Sequence, residues 1–198
     1  MSPRRADARA NREALIDAGL RVLALDPDAG LAVVAAEAGV SRRTVYAHFS
    51  NRSALVEAIA THVAERLVAR TTEVTEDDDP LVTLVRVVRV LGRDLAAYRN
   101  VGGLALRLGA DRTVHETARA AGGSRVRALI DQAHAAGTID TALPGSVLHT
   151  LVIATQQAVF EALVAGDLTE DQAPETAARA VLNTLGVPHA LREEVLAQ

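Results

Sequence analysis

The sequence predicts an all-α fold, with a small three-helix head and a larger helical body. Apolar residues recur every three to four positions along most of the chain, the spacing that lines one face of a helix. Glycine, proline and acidic breaks separate those stretches at helix-length intervals. A third observation, the run Val34 to Phe49 (VAAEAGVSRRTVYAHF), indicates how the head is built.

The first helix is expected over Arg12–Leu25, with Leu15, Ala18, Val22 and Leu25 as its apolar face. The segment before it carries Arg4, Arg5 and Arg9 and reads either as a minor-groove arm or as a solvated tail. Within Val34–Phe49, a short apolar helix leads to a tight turn at Gly39, where a positive φ suits only glycine cheaply. Ala35 is small where two helices cross closely, and Val45 points back into the corner. Ser41 is placed to cap the second helix by accepting from its free N–H groups. Val34, Ala38, Val45 and Phe49 form the buried side, which leaves Arg42, Arg43, Tyr46 and Ala47 outward.

This is the spacing of a helix-turn-helix, whose second helix lays its N-terminal residues in the major groove. Two arginines there suit bidentate contacts with guanine. Tyr46 and His48 are better placed for phosphates, which position rather than specify. The competing reading is an ordinary helical corner with a solvated arginine pair. Asn51-Arg52-Ser53 opens the next helix, where Arg52 and the free N–H groups of the first turn suit a phosphate.

On Val34-Ala35, Ala38-Gly39-Val40-Ser41, Thr44-Val45-Tyr46, His48-Phe49, Arg52 and Leu55, the chain resembles the TetR (tetracycline repressor) family. The resemblance implies a homodimeric, all-helical transcriptional regulator, most often a repressor released from DNA by a small ligand. It places Thr44, Tyr46, His48 and Arg52 on phosphates and turns Arg42, Arg43 and Ala47 toward bases, with Ser41 at the cap. Two positions depart from the family. Gly30 stands where a threonine often caps the first helix of the motif, with Asp28 nearby as a substitute, and Arg52 replaces the usual lysine. The motif covers about a quarter of the chain, so the expected division is a DNA-binding head over 1–52 and a ligand-binding and dimerisation body over 53–198.

The body divides at clear signals. A connector helix is expected over Asn51–Arg70, with Leu55, Ile59, His62, Val63 and Leu67 near one face. The acidic run Glu73–Asp79 reads as a solvated loop, and Asp79-Pro80 starts a helix with proline at its tolerated first position. Its apolar stripe is Leu81, Leu84, Val88, Leu91 and Leu95, while Arg86, Arg89 and Arg93 lie on another side and read as a solvated face or, less simply, a second basic patch. A short segment over Asn100–Gly109 is broken by Gly102-Gly103, and another helix spans Thr113–Ala136. Neither this glycine pair nor Gly122-Gly123 follows a strand, so neither reads as a phosphate-cradling loop. Gly137–Asp140 resembles the family's break before its last two long helices, expected at 144–165 and 169–185. Thr169 and Gln172 read as a capping box, Gly186 and Pro188 mark a stop, and a tail helix follows over Ala190–Ala197.

Those two long helices carry more apolar surface than one intrachain contact needs: Leu148, Val152, Thr155, Val159 and Ala162 on the first with Leu151 beside them, Ala173, Ala177, Ala180, Val181 and Leu185 on the second; the competing reading is burial wholly within one chain. Pairing with the same helices of a second copy gives a two-fold, four-helix homodimer interface. A palindromic double-stranded operator then follows from two heads one helical turn apart. Clues to an effector are sparse. His149, Ile153, Gln156 and Phe160 share one side of their helix, while Tyr98, Arg107 and His115 fall in the middle helices that wall the pocket in the family. Few aromatics and mostly aliphatic surroundings favour an apolar or amphipathic small molecule.

The net charge of −4 suits DNA binding only through its distribution. Residues 1–52 hold eight arginines against six acids, and the remainder holds thirteen basic against nineteen acidic residues. An acidic body stays off the phosphate backbone, so affinity rests on a few placed contacts and on dimerisation. All 21 basic residues are arginine, a usage that suggests a GC-rich bacterial genome. Without cysteine there is no disulfide framework or thiolate site. No stretch approaches twenty apolar residues and no apolar signal core follows the arginine-rich start, so no membrane partner and a cytoplasmic protein are expected. A helical enzyme would need a nucleophile with its base, paired carboxylates or metal ligands at helical spacing. Six dispersed histidines supply none, and no cofactor or metal motif occurs. The remaining rival is a helical adaptor whose head binds protein rather than DNA.

Overall fold

The computed structural model describes residues 3–107, 125–139 and 142–198, and every regular element among them is helical. The helices are α1 (Pro3–Leu25), α2 (Leu31–Glu37), α3 (Arg42–His48), α4 (Arg52–Thr72), α5 (Pro80–Ala97) and α6 (Arg99–Arg107), then α7 (125–135), α8 (Gly145–Ala165), α9 (Ala173–Thr184) and α10 (His189–Leu196). The chain forms two compact units, and the first extends beyond residue 52: it includes α4 as far as Ala64 and the α6 residues from Asn100.

In the first unit, α1 packs on α2 and α2 on α3. Leu15, Val34, Val45, Leu55 and Ile59 are sealed from solvent. The stripe of α1 differs from the expected one. Helix α1 begins nearer the N-terminus than Arg12, and its buried positions are Leu15, Ile16, Ala18, Gly19 and Leu23, whereas Leu25 is 90% exposed. Continued spacing from Leu15 in steps of four keeps to one side of the helix, and Leu25 at its last position has turned out of it. Gly19 is where α1 meets α4: a Cβ there would stand 2.6 Å from Ile59 Cδ1. Asn100 Nδ2 donates to the Ala24 carbonyl at 2.8 Å, attaching α6 to the end of α1.

In the second unit, α5 is buried on several sides, packing against α8, α9 and α10. Leu81, Leu84, Ile130, Leu148, Leu182 and Leu185 are its most enclosed large residues. Leu91 and Leu95 are only partly covered. Asp79 caps α5, accepting from the Leu81 N–H at 2.8 Å. The acidic run before it is more tied down than a solvated loop. Asp77 pairs with Arg86 at 3.0 Å, and Arg125 reaches Glu76 as well as the carbonyls of Thr71 and Val74. Helix α6 runs through Gly102-Gly103 rather than breaking there, since helical neighbours offset the modest penalty of glycine.

Thr169 and Gln172 exchange side-chain-to-backbone hydrogen bonds as a capping box, and the regular helix starts at Ala173 with Pro174 in its first turn, the late start that a proline at 174 implies. Arg89 joins α5 to Glu175 of α9 at 2.9 Å and to the Leu196 carbonyl of α10. Helix α8 departs from the expectation about apolar runs. It is long and apolar enough to cross a membrane by composition, yet Leu148, Val152 and Leu163 are buried against its own unit.

Candidate nucleic-acid interface

The corner between α2 and α3 is set by three local devices. Gly39 has φ +68°, and the N–H groups of Gly39 and Val40 return to the carbonyls of Ala36 and Ala35, closing α2 with a left-handed turn. Ser41 Oγ then accepts from the Thr44 N–H at 3.1 Å and lies 2.8 Å from Thr44 Oγ1, so Thr44 takes part in the cap. Val45 and Phe49 are buried while Ala38 is half-covered, so the inward side rests on Val34, Ala35, Val45 and Phe49. Arg12 lies over the Phe49 ring at 5.6 Å.

With Val45 turned inward, α3 presents Arg42, Arg43, Tyr46 and Ala47 to solvent, and Tyr46 is 57% exposed. Thr44 and His48 are half-buried on its flank. The other arginines whose surroundings are described in this unit are engaged: Arg9 with Glu13, Arg21 with Glu37, Arg12 with the Phe49 ring and Arg52 with backbone carbonyls. Arg42 and Arg43 have no hydrogen-bond or ion-pair partner among the described residues. Two adjacent free guanidinium groups on a rigid, capped helix form a positive surface that fits phosphate and guanine edges.

Arg52 occupies a different place from the one expected. Its Nε donates to the Ala29 carbonyl at 3.1 Å and its Nη2 to the Pro27 carbonyl. The fork thereby holds the loop before α2. Gly30 is the N-cap of α2 and supplies no side-chain bond, and Asp28 does not substitute for one; its N–H instead donates to Asp26 Oδ1. Asn51 caps α4 by accepting from the Ala54 N–H at 2.9 Å. Sequence reasoning missed the Arg52 clamp, although an arginine near the start of a helix gave the only local hint of it.

In the second unit, Gln156 and Phe160 line a small apolar crevice with Val88, Leu95, Val159 and Leu163, with room of about 10 Å³, one water molecule. Tyr98 is half-buried at the C-cap of α5. His149 is buried in α8 and Ile153 half-buried, both outside the crevice lining. The Arg107 side chain and His115 lie outside the described residues.

A three-helix unit with a glycine turn and a capped, arginine-bearing second helix is a helix-turn-helix of the DNA-binding class. Residues 15–59 match the model of the bacterial regulatory proteins, tetR family. Over 52 residues the chain is 46% identical to the HTH-type transcriptional repressor LfrR of Mycolicibacterium smegmatis, a match that covers 26% of this chain and 28% of that protein. The fold extends further. A solved complex of RolR with resorcinol superposes with a TM-score of 0.77 at 22% identity, covering 98% of this chain and 96% of that one. LfrR from Mycobacterium smegmatis in complex with proflavine does so at 0.59 and 24%, covering 88% and 95%. The head of this chain is thus similar to the DNA-binding part of the tetR family of bacterial regulatory proteins, and the chain shares the fold of these solved proteins.

Proposed function

We propose that this chain is a sequence-specific DNA-binding transcriptional regulator that acts as a ligand-released repressor on a palindromic operator. The observation that carries the reading is the exposed face of α3, where Arg42 and Arg43 are free of internal partners on a helix held from behind by Val45 and Phe49. That face docks in the major groove, with Tyr46, Thr44 and His48 against phosphates. Ser41 sets the helix start, and Arg52 serves by holding the loop ahead of α2.

The protein works as a cytoplasmic homodimer. Helix α8 leaves Val147, Leu151 and Val164 more than a third exposed, and a second copy of α8 and α9 covers them in a two-fold bundle. Dimerisation sets two heads on two half-sites. The effector is a small apolar or amphipathic molecule, consistent with the resorcinol and proflavine held by the two related proteins. The crevice at Gln156 and Phe160 is the starting point for its site, with Tyr98, Arg107, His115, His149 and Ile153 as further candidates. Its binding favours one placement of α4 and shifts the population away from the DNA-competent form. No catalytic role enters this reading.

Selection of bound fragments from random duplex DNA tests it. The wild-type dimer enriches a palindrome, and a variant with Arg42 and Arg43 both changed to alanine loses specific binding while keeping its helical circular dichroism. Unchanged specific binding by that variant removes α3 from the interface and favours a protein-binding adaptor.

A further inference from the structure

The two free arginines of α3 are not equivalent. At about 100° per residue, Arg43 and Ala47 each lie about 160° around the axis from Val45, on its two sides. Since Val45 is completely buried, these two form the outermost row of the helix. Arg42 lies only about 60° from Val45 and Tyr46 about 100°, on one shared flank, with Thr44 and His48 mirroring them on the other. Thr44 and His48 are half-buried while Arg42 and Tyr46 on the other flank are exposed, so the outward direction tilts toward that flank and Arg43 lies nearest to it. A helix that enters a groove with its buried side facing its own domain meets base edges with its outermost row and the sugar–phosphate walls with its flanks.

We propose that Arg43 reads a guanine in each half-site and that Ala47 packs on the methyl group of a neighbouring thymine, while Arg42 works beside Tyr46 against the phosphate wall. This rests on the groove reading above. The chemistry of the row is restrictive. It holds no amide to pair with adenine N6 and N7 and no carboxylate to accept from cytosine N4. What remains is a guanidinium, whose fork matches guanine O6 and N7, and a methyl, whose apolar partner in the major groove is the thymine C5 methyl. Ala47 lies one turn, about 6 Å, along the axis from Arg43, which separates the two contacts onto different base pairs. Its short side chain also lets α3 approach the groove floor.

Duplex selection with the full-length chain and the single variants R43Q, R42A and A47S supplies the test. The wild type is expected to enrich one guanine and a nearby thymine per half-site. R43Q is expected to lose that guanine and favour adenine there, weakening binding to the wild-type operator roughly 5- to 150-fold per half-site. R42A is expected to keep the wild-type motif, lose affinity evenly across sequences and lower the salt slope by about one per half-site. A47S is expected to relax the thymine alone. If R42A erases the guanine while R43Q leaves it, the division of roles is overturned although the protein still reads DNA. If the wild type enriches no sequence, the groove reading itself fails.

Discussion

Arg52 offers a sharp test of how the head is held together. A phosphate-gripping arginine and a loop-clamping arginine respond differently to the same substitutions. In the structure, Nε and Nη2 donate to the carbonyls of Ala29 and Pro27, 23 and 25 residues earlier, and Ala29 is itself buried. A hydrogen bond from a charged donor contributes about 1.5–3 kcal/mol. Arg52 is half-buried, so water replaces part of both bonds in a truncated side chain. About 2 kcal/mol for the pair together is the reasonable expectation for Arg52→Ala. In a chain of this size that corresponds to a fall in melting temperature of roughly 4–8 °C. Arg52→Lys retains the charge but not the fork, so one ammonium cannot serve both carbonyls in the same geometry. It is expected to lose most of the same stability. The assays are thermal unfolding at fixed protein concentration and operator binding across a salt series. A clamp lowers the melting temperature in both variants and leaves the salt slope of the folded protein unchanged. If Arg52→Ala melts like the wild type while its slope falls by about one per half-site, Arg52 is a phosphate contact and the clamp contributes little.

Three further outcomes are expected. In Gly92→Ala the added Cβ would stand 2.8 Å from Pro174 Cα and 3.2 Å from its nitrogen, and this backbone cannot swing aside, so α5 and α9 must separate at a cost of about 1–3 kcal/mol, read as a lower melting temperature. Leu151→Glu, alone or with Val147→Glu, places charge on the exposed apolar side of α8; sedimentation equilibrium should show a dimer for the wild type and a monomer for the variant, with helical content retained. The attachment of α10 should weaken in acid. The hydrogen bond from Arg179 holds the Glu193 carboxyl below the usual carboxylate range, so the pairing stabilises α10 above that range and is lost as pH falls through the lowered value. Glu193→Gln should remove that acid-side dependence from hydrogen exchange in α10, while alkaline behaviour stays unchanged.

The parts of this molecule legible in the sequence are those decided within one or two helical turns. Gly39, Ser41 and Val45 each act on neighbours a few residues away, so their roles could be named from spacing and then located at φ +68°, a 3.1 Å cap and a fully buried side chain. The same holds for Asp79 with Pro80 and for the Thr169–Gln172 box. Where a residue's task is set from far along the chain, the local pattern misled or fell silent. Leu25 continued a plausible stripe but is exposed at the end of α1, and Gly102-Gly103 looked like a break but lies within α6. Arg52 looked like a surface cation because its carbonyl partners belong to a loop two helices earlier.

That difference also bears on the asymmetry between the two halves of the proposed function. Base recognition requires only a short rigid helix with the right outward row, and a seven-residue helix writes that row into consecutive letters. The crevice from which we propose the effector site is built comes from several helices: Val88 and Leu95 from α5, Gln156 and Phe160 from α8, and Ala173 and Ala177 from α9. No spacing rule connects positions so far apart, and aliphatic residues that line a crevice are the same types that fill a core. Among the described lining residues Gln156 alone carries an amide that can orient a molecule bound in the proposed site, which makes it the position where a change should separate effector response from folding.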